Sequence, residues 1–323
     1  MKAARIAAPR KWEFLDVDVP APKPGEVLLK MEYYSVCGSD LRTYDRDLPE
    51  EQYPMRIGGP CHELVGIVEE SLDDRLRRGE RVIALSPTGG GGGLVEYMTA
   101  PASRVVPVPD MGDPVNWVLC QPVGTVMWAC QQMGSVLGKR VAIIGQGPIG
   151  LAFTDLIARQ GASRVIVTDL LDYRLETAKR LGATHTINAG RENVAEAVAE
   201  ITGGEMADFV VECVGRPETT NQTFELLRRQ GTAIIFGMTH DEDVFEVDWS
   251  KLYSKLPHMI VTNSAMVGEN VGGVRMCVDL VTQGRLDLSY LLTHRLPWTE
   301  VQTAYDMYSA KKDNSLKIVM NAS

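Results

Sequence analysis

Between residues 141 and 169 the hydrophobic pattern changes character repeatedly. VAII (141–144) is a short apolar run, the length of a buried strand. Gly145, Gly147 and Gly150 follow in G-x-G-x-x-G spacing. The apolar stretch LAFTDLIARQGA then predicts a helix that stops at Gly161, and a second apolar run, RVIVTD, ends on Asp169. The alternation continues to about Ser264. Later strands are predicted over 207–215, 232–238 and 259–265. Amphipathic helices are predicted over RLETAKRLGA (174–183), stopping at Gly182, and over ETTNQTFELLRRQG, ending at Gly231. A helix over TVMWACQQMG, ending near Gly134, precedes the series. This alternation predicts an α/β region: a doubly wound parallel sheet with right-handed crossovers and helices on both faces.

The flanks read differently. Residues 1 to about 115 carry short β-type runs broken by Pro and Gly: EVLLKMEYYSVCG, LVGIVEE, RVIAL (81–85) and RVVPV (104–108). PTGGGGGLVEYMTAP, from Pro87, predicts a loop leading into a strand, because consecutive glycines hold regular structure only at a large entropic cost. After about Met266 the pattern leaves the alternation. VRMCVDLVTQGRL predicts a helix ending near Gly284, and LTHRLPW and LKIVMN predict strands that return to the first domain. The chain therefore divides into a mostly β domain over 1–121 and 265–323 and a nucleotide-type domain over 122–264. No internal repeat is present.

Composition narrows the partners. A net charge of −9 over 323 residues argues against nucleic acid and against an anionic membrane surface. The opening MKAARIAAPRKWEF has basic residues but no continuous apolar core, so it does not read as a signal peptide. No apolar run is long enough to span a bilayer. The six cysteines are scattered without a disulfide framework, which points to a reducing, cytoplasmic setting.

The glycine spacing sits where a dinucleotide fingerprint needs it, after a strand and at the start of a helix. Gly145 permits the tight turn, Gly147 lets a pyrophosphate approach the backbone, and Gly150 lets the helix pack close to the strand. Pro148 and Ile149 lie inside the same cofactor-binding loop, and the helix N-terminus offers free N–H groups to the phosphates. A carboxylate at Asp169 accepts hydrogen bonds from ribose hydroxyls and repels a 2′-phosphate, favouring NAD over NADP; its structural alternative is a strand-end cap. Upstream, Cys37-Gly38-Ser39-Asp40 follows a predicted strand, and Gly59-Pro60-Cys61-His62-Glu63 precedes another. A thiolate and an imidazole from separate segments can meet on one zinc ion, whose catalytic form needs only three protein ligands. Each also has a packing alternative: Cys37 as a small buried residue, His62 as a hydrogen-bonded core histidine.

In order and joint presence, VCGSD (36–40), GPCHELVG (59–66), QPVGTVMWA (121–129), VAIIGQGPIG (141–150), TDLLDYRLETAKRLGA (168–183) and ECVG (212–215) resemble the medium-chain dehydrogenase/reductase superfamily, within it the zinc-dependent alcohol, polyol (sorbitol) and threonine dehydrogenases. The resemblance covers nearly the whole chain. It implies a GroES-like catalytic domain with an inserted Rossmann domain, and a homodimer or homotetramer. It also implies catalytic zinc at Cys37 and His62, with Glu63 as a nearby or direct ligand. Ser39 matches the hydroxyl that relays the substrate proton. Arg174 matches a basic residue at the adenosine ribose, with a solvated helix charge as its alternative. Val214 and Gly215 end a predicted strand and are expected to border the adenosine or nicotinamide riboside, and Met238 and Asn263 match backbone groups offered to the nicotinamide.

Four positions depart from that pattern. Gln121 stands where sorbitol dehydrogenase-like members have Glu, and a neutral amide is a poor zinc ligand; Cys120 beside it is turned another way by the one-residue shift. Arg42 stands where many relatives have a relay histidine. It either binds a carboxylate or phosphate of substrate or cofactor or is a surface charge. Cys61 replaces a Gly and reads as packing, with a metal role as its alternative. Residues 79–118 hold no cysteine, so no structural zinc is predicted. The resulting expectation is a zinc-assisted, NAD-dependent oxidation of a small secondary alcohol (a polyol, sugar or amino alcohol) to a ketone. The alternatives are a zinc-free reductase of the same superfamily and a non-catalytic nucleotide-binding protein.

Overall fold

Strand-forming runs with alternating burial open the chain. β1 (Lys2–Ala8) buries Ala3, Ala4 and Ile6 and pairs antiparallel with β2 (Lys11–Asp16), a hairpin that no local motif marks strongly. β3 (Glu26–Ser35), rich in aromatic and branched residues, leads into α1 (Gly38–Tyr44). Then come β4 (Glu63–Ser71), β5 (Arg81–Leu85), β6 (Tyr97–Pro101), β7 (Val105–Pro107) and α2 (Cys120–Met133). The computed structural model describes residues 1–46, 48–85, 92–239, 244–262 and 270–322. Most of the predicted glycine-rich loop, from Pro87 to Gly91, lies outside them, as does Asn263.

The alternating region gives β8 (Arg140–Ile144), α3 (Pro148–Arg159), β9 (Arg164–Asp169), α4 (Asp172–Arg180), β10 (His185–Asn188) and α5 (Val194–Thr202). It continues with β11 (Ala207–Glu212), α6 (Pro217–Leu226), β12 (Leu227–Ile235), α7 (Trp249–Lys255) and β13 (His258–Val261). The chain closes with α8 (Asn270–Thr282), β14 (Leu292–Pro297), α9 (Val301–Ser309) and β15 (Lys317–Asn321).

The chain folds as two units, Met1–Gly124 with Ala265–Ser323, and Thr125–Ser264. The division falls after Gly124 rather than after Gln121, inside the continuous helix α2. A Cβ at Gly124 would lie 2.7 Å from the Val274 backbone of α8, so the first turn of α2 packs with the first unit. That unit holds a sheet of order β14-β15-β3-β4-β5-β7, with β6 also paired to β3. Its core includes Tyr34, Tyr44, Leu64, Trp298 and Tyr305.

In the second unit six parallel strands run in the order β10-β9-β8-β11-β12-β13. With β8 as first strand this is the 3-2-1-4-5-6 order of the Rossmann fold, and the winding reverses between β8 and β11. Ala142, Ile144, Ile166, Val210 and Phe224 fill the core. Several boundaries differ from the sequence reading. The helix expected to reach Gly231 ends at Leu226, and Leu227 already pairs with Ala207. Arg228 is drawn to Asp208, its Nε donating to Oδ1 at 2.6 Å, and Gln230 turns the backbone at φ 55°. The ion pair and the turn outweigh the helical propensity of the LRRQ segment. The strand expected over 232–238 ends at Ile235.

Candidate functional site

Strand register builds the first cluster. Ser35 at the end of β3 pairs with Glu63 at the start of β4, so the segments carrying Cys37 and His62 emerge side by side. Cys37 caps α1 with an extended backbone, φ −106° and ψ 150°. The Cys37 sulfur, a ring nitrogen of His62 and a Glu63 carboxylate oxygen all lie within 4.8 Å of one another. No other group of three potential ligand side chains converges in this way among the described residues.

Three further residues hold these donors. Asp40 Oδ1 lies 3.0 Å from His62 Nδ1. Asp40 Oδ2 accepts from the Cys37 amide at 3.1 Å and from the Tyr305 hydroxyl at 2.9 Å. With Nδ1 engaged, Nε2 is the imidazole nitrogen left for a metal. Lys317 Nζ donates to both Glu63 oxygens, at 2.5 and 2.6 Å. Ser39 Oγ donates to Cys37 Sγ at 3.3 Å, which puts a hydroxyl beside the cluster.

Burial opposes a charge on His62, but Asp40 and Cys37 outweigh it and raise its pKa well above the ordinary value. Burial likewise opposes a charge on Lys317, and Glu63 and Cys37 raise its pKa in spite of it. The donor set is one thiolate-forming sulfur, one imidazole and one carboxylate, each with an outer hydrogen-bond partner. That composition and support fit a catalytic zinc site.

The departures from the family pattern also take their places. Cys61 is fully buried in the first unit's core, its thiol donating to the Ser35 carbonyl at 3.7 Å, and it is not one of the three converging donors. Cys120 is buried on α2 and meets Cys277 of α8. Gln121 is buried beside it, and Arg42 sits half-buried in the last turn of α1.

The second cluster lies in the second unit, at the carboxyl ends of its strands. Gly145 takes φ +88°, and a Cβ there would meet Val214 Cγ2 at 2.5 Å. A Cβ at Gly150 would fall 1.9 Å from the Gly145 carbonyl oxygen, so only glycine lets α3 pack this close. At Gly147, the cap of α3, the nearest atom to a Cβ is Arg174 Nη1 at 3.8 Å, which leaves the backbone open to a ligand. Pro148 and Ile149 form the first turn of α3.

Asp169 does cap its own strand end, Oδ1 accepting from Leu171 N at 3.0 Å. Its Oδ2 also reaches across to Gln146 N in the glycine loop at 2.7 Å. Arg174 is not a solvated helix charge: Nη1 lies 3.6 Å from Asp169 Oδ2 and the guanidinium packs over Tyr173. Val214 is fixed by its amide, which donates to Glu212 Oε1 at 2.8 Å.

Sequence reasoning gave no role to Asp40, Tyr305, Lys317 or Glu212. Asp40 lay inside the VCGSD stretch, and Lys317 was visible as a single charge in an apolar strand. Tyr305 left no local signal. Glu212 is wholly buried, and its Oε1 accepts from the Val214 and Gly215 amides and the Thr219 hydroxyl. Burial raises its pKa above the ordinary value against those hydrogen bonds.

A GroES-like domain and a Rossmann domain, one with a convergent sulfur, imidazole and carboxylate and the other with a phosphate-type glycine loop, define an oxidoreductase of the zinc-dependent dehydrogenase class. The family model described as alcohol dehydrogenase GroES-like domain matches residues 23–110, and that described as zinc-binding dehydrogenase matches residues 148–280. An L-threonine 3-dehydrogenase from Rhizobium etli is 27% identical over 335 residues, covering 95% of this chain and 94% of that protein. An alcohol dehydrogenase from Thermus sp. ATN1 superposes with a TM-score of 0.87 at 24% identity, covering 100% of both chains. An oxidoreductase/dehydrogenase of unknown specificity from Escherichia coli superposes with a TM-score of 0.88 at 25% identity, covering 100% of this chain and 99% of that one. The chain belongs to the medium-chain dehydrogenase/reductase superfamily, among its zinc-type alcohol and polyol dehydrogenases. Among the described residues no helix is long and apolar enough to cross a membrane.

Proposed function

We propose that the protein oxidises a small secondary alcohol (a polyol, sugar or amino alcohol) to its ketone, with NAD as hydride acceptor and a single zinc ion at Cys37, His62 and Glu63. The observation that carries the reading is the convergence of those three side chains within 4.8 Å, in a chain of the zinc-type dehydrogenase family. The alcohol loses a hydride from carbon and a proton from oxygen, and NAD becomes NADH. When bound, zinc supplies Lewis-acid polarisation of the alcohol oxygen, and the nicotinamide supplies the hydride acceptor.

The chain's own residues do the rest. Asp40 fixes the His62 ring, and Tyr305 and the Cys37 amide fix Asp40. Ser39 is the hydroxyl that takes up the alcohol proton and passes it on. In the other unit, Gly147 and the amides of the first turn of α3 take the pyrophosphate, while Val214 and Arg174 border the nucleoside. Asp169 accepts from the ribose hydroxyls; its two contacts in this structure leave lone pairs on both oxygens.

A panel of alcohols, polyols and amino alcohols, followed by NADH absorbance, tests the reading. At least one secondary alcohol should give NADH in proportion to ketone. Reduction of an enone or quinone by metal-free protein, with no alcohol oxidised, would replace this reading with the zinc-free reductase.

A further inference from the structure

Directly behind the candidate metal centre lies a buried ammonium. Lys317, on β15, is 1% exposed, and Glu63 is wholly buried. The three donors of Lys317 are all used: two go to the two Glu63 oxygens and the third to the Val36 carbonyl at 3.2 Å. Val36 adjoins Cys37, and Cys37 is close enough to interact electrostatically with the ammonium. The carboxylate that faces Cys37 and His62 is therefore gripped on both oxygens from behind.

We propose that Lys317 is a positioning residue that competes with the metal for Glu63, and thereby sets the affinity and net charge of the centre; this rests on the metal reading above. A thiolate and a carboxylate cancel the two charges of Zn²⁺, and imidazole adds none. The enclosed ammonium offsets the buried Asp40 carboxylate behind His62, so metal, ligands and outer groups together are neutral rather than net negative. A centre made less negative by the ammonium holds metal less tightly but favours the ionised form of a bound alcohol. Each Glu63 oxygen already accepts an N–H, so a bond from Glu63 to metal draws on electron density shared with Lys317. Removing the ammonium frees the carboxylate and takes a repelling charge away from the cation. Metal should then bind more tightly, while the alcohol becomes harder to ionise.

Zn²⁺ and Co²⁺ affinities, measured by competition with a chromogenic chelator, test this on the wild-type protein and on Lys317→Met, Lys317→Gln, Glu63→Gln and the double variant Glu63→Gln/Lys317→Met. The first two should bind metal about 10-fold more tightly or better, the lower end of what outer-shell changes produce. Their kcat should fall, with its pH profile displaced to higher pH. Lys317→Gln keeps a neutral donor toward Glu63 and so protects the test if Lys317→Met folds only with metal. The double variant should gain clearly less over Glu63→Gln than Lys317→Met gains over wild type, because only the repulsion and no longer the carboxylate is released. A merely structural strut predicts the opposite sign: folded Lys317→Gln or Lys317→Met that binds metal equally or more weakly overturns the proposal, as does an equal gain in the double variant. Wild-type protein that binds neither ion overturns the metal reading itself and this inference with it. Metal-binding wild type with no gain in the lysine variants overturns only the inference.

Discussion

Asp40 Oδ1 lies 3.0 Å from His62 Nδ1, and the same carboxylate takes the Cys37 amide and the Tyr305 hydroxyl on its other oxygen. One buried acid thus orients two of the three candidate ligands. Its two ends demand acceptors, so an amide cannot replace it. In Asp40→Asn, an amide nitrogen turned to His62 needs the Nδ1 lone pair and forces the proton onto Nε2, removing the metal's donor pair. Turned the other way, it opposes the Cys37 N–H. Asp40→Asn should therefore lower zinc affinity by about 10–100-fold. Chelator competition measures this, and an unchanged affinity would show that Asp40 does not orient the ligand.

Asp169 governs cofactor choice. Unmodified protein should use NAD more efficiently than NADP, because a 2′-phosphate would meet the carboxylate. Asp169→Ser should narrow the ratio of kcat/KM values by about tenfold, the effect of roughly 1.4 kcal/mol. Because Asp169 also holds Gln146 N, the variant should raise KM for NAD as well. Equal efficiency with both cofactors in the unmodified protein would contradict this account.

Asp208 carries a stability prediction with a defined pH window. It accepts from the Arg140 side chain and amide on β8 and from Arg228 on β12, tying three neighbouring strands. Burial works against its charge, but these hydrogen bonds outweigh it and hold its pKa at about 2. A folded pKa below the unfolded value of about 3.9 stabilises the protein above that pH, and the stability is lost as pH falls toward 2. The partly exposed Arg228 screens the effect to about 1–2 kcal/mol. Asp208→Asn should be less stable than wild type in urea at pH 7, and the two should converge as pH approaches 2. A constant difference across that range would assign the effect to packing.

Much of the fold was legible because its signals are local. The turn at Gly145, the close approach at Gly150 and the apolar run ending at Asp169 all fall within one strand–helix–strand unit. Cys37, His62 and Glu63 could be singled out from two short stretches, and the fold brings them together through the Ser35–Glu63 register. What escaped was long-range. Lys317 is 254 residues from the Glu63 it grips, and Tyr305 is 265 from Asp40. No spacing rule links such positions, since the return of the chain as α9 and β15 is fixed only by packing. The end of α6 escaped for a related reason: Asp208, 20 residues earlier, draws Arg228 out of a helix-like sequence.

The central claim is a catalytic zinc held by Cys37, His62 and Glu63, and metal content tests it most directly. Protein expressed with added zinc and purified without chelator should contain a single equivalent of zinc per chain by elemental analysis. Cys37→Ser, prepared alongside, should lose most of that zinc together with alcohol-dependent NADH formation. A wild-type protein free of zinc, or a Cys37→Ser variant with unchanged zinc and turnover, would contradict the account.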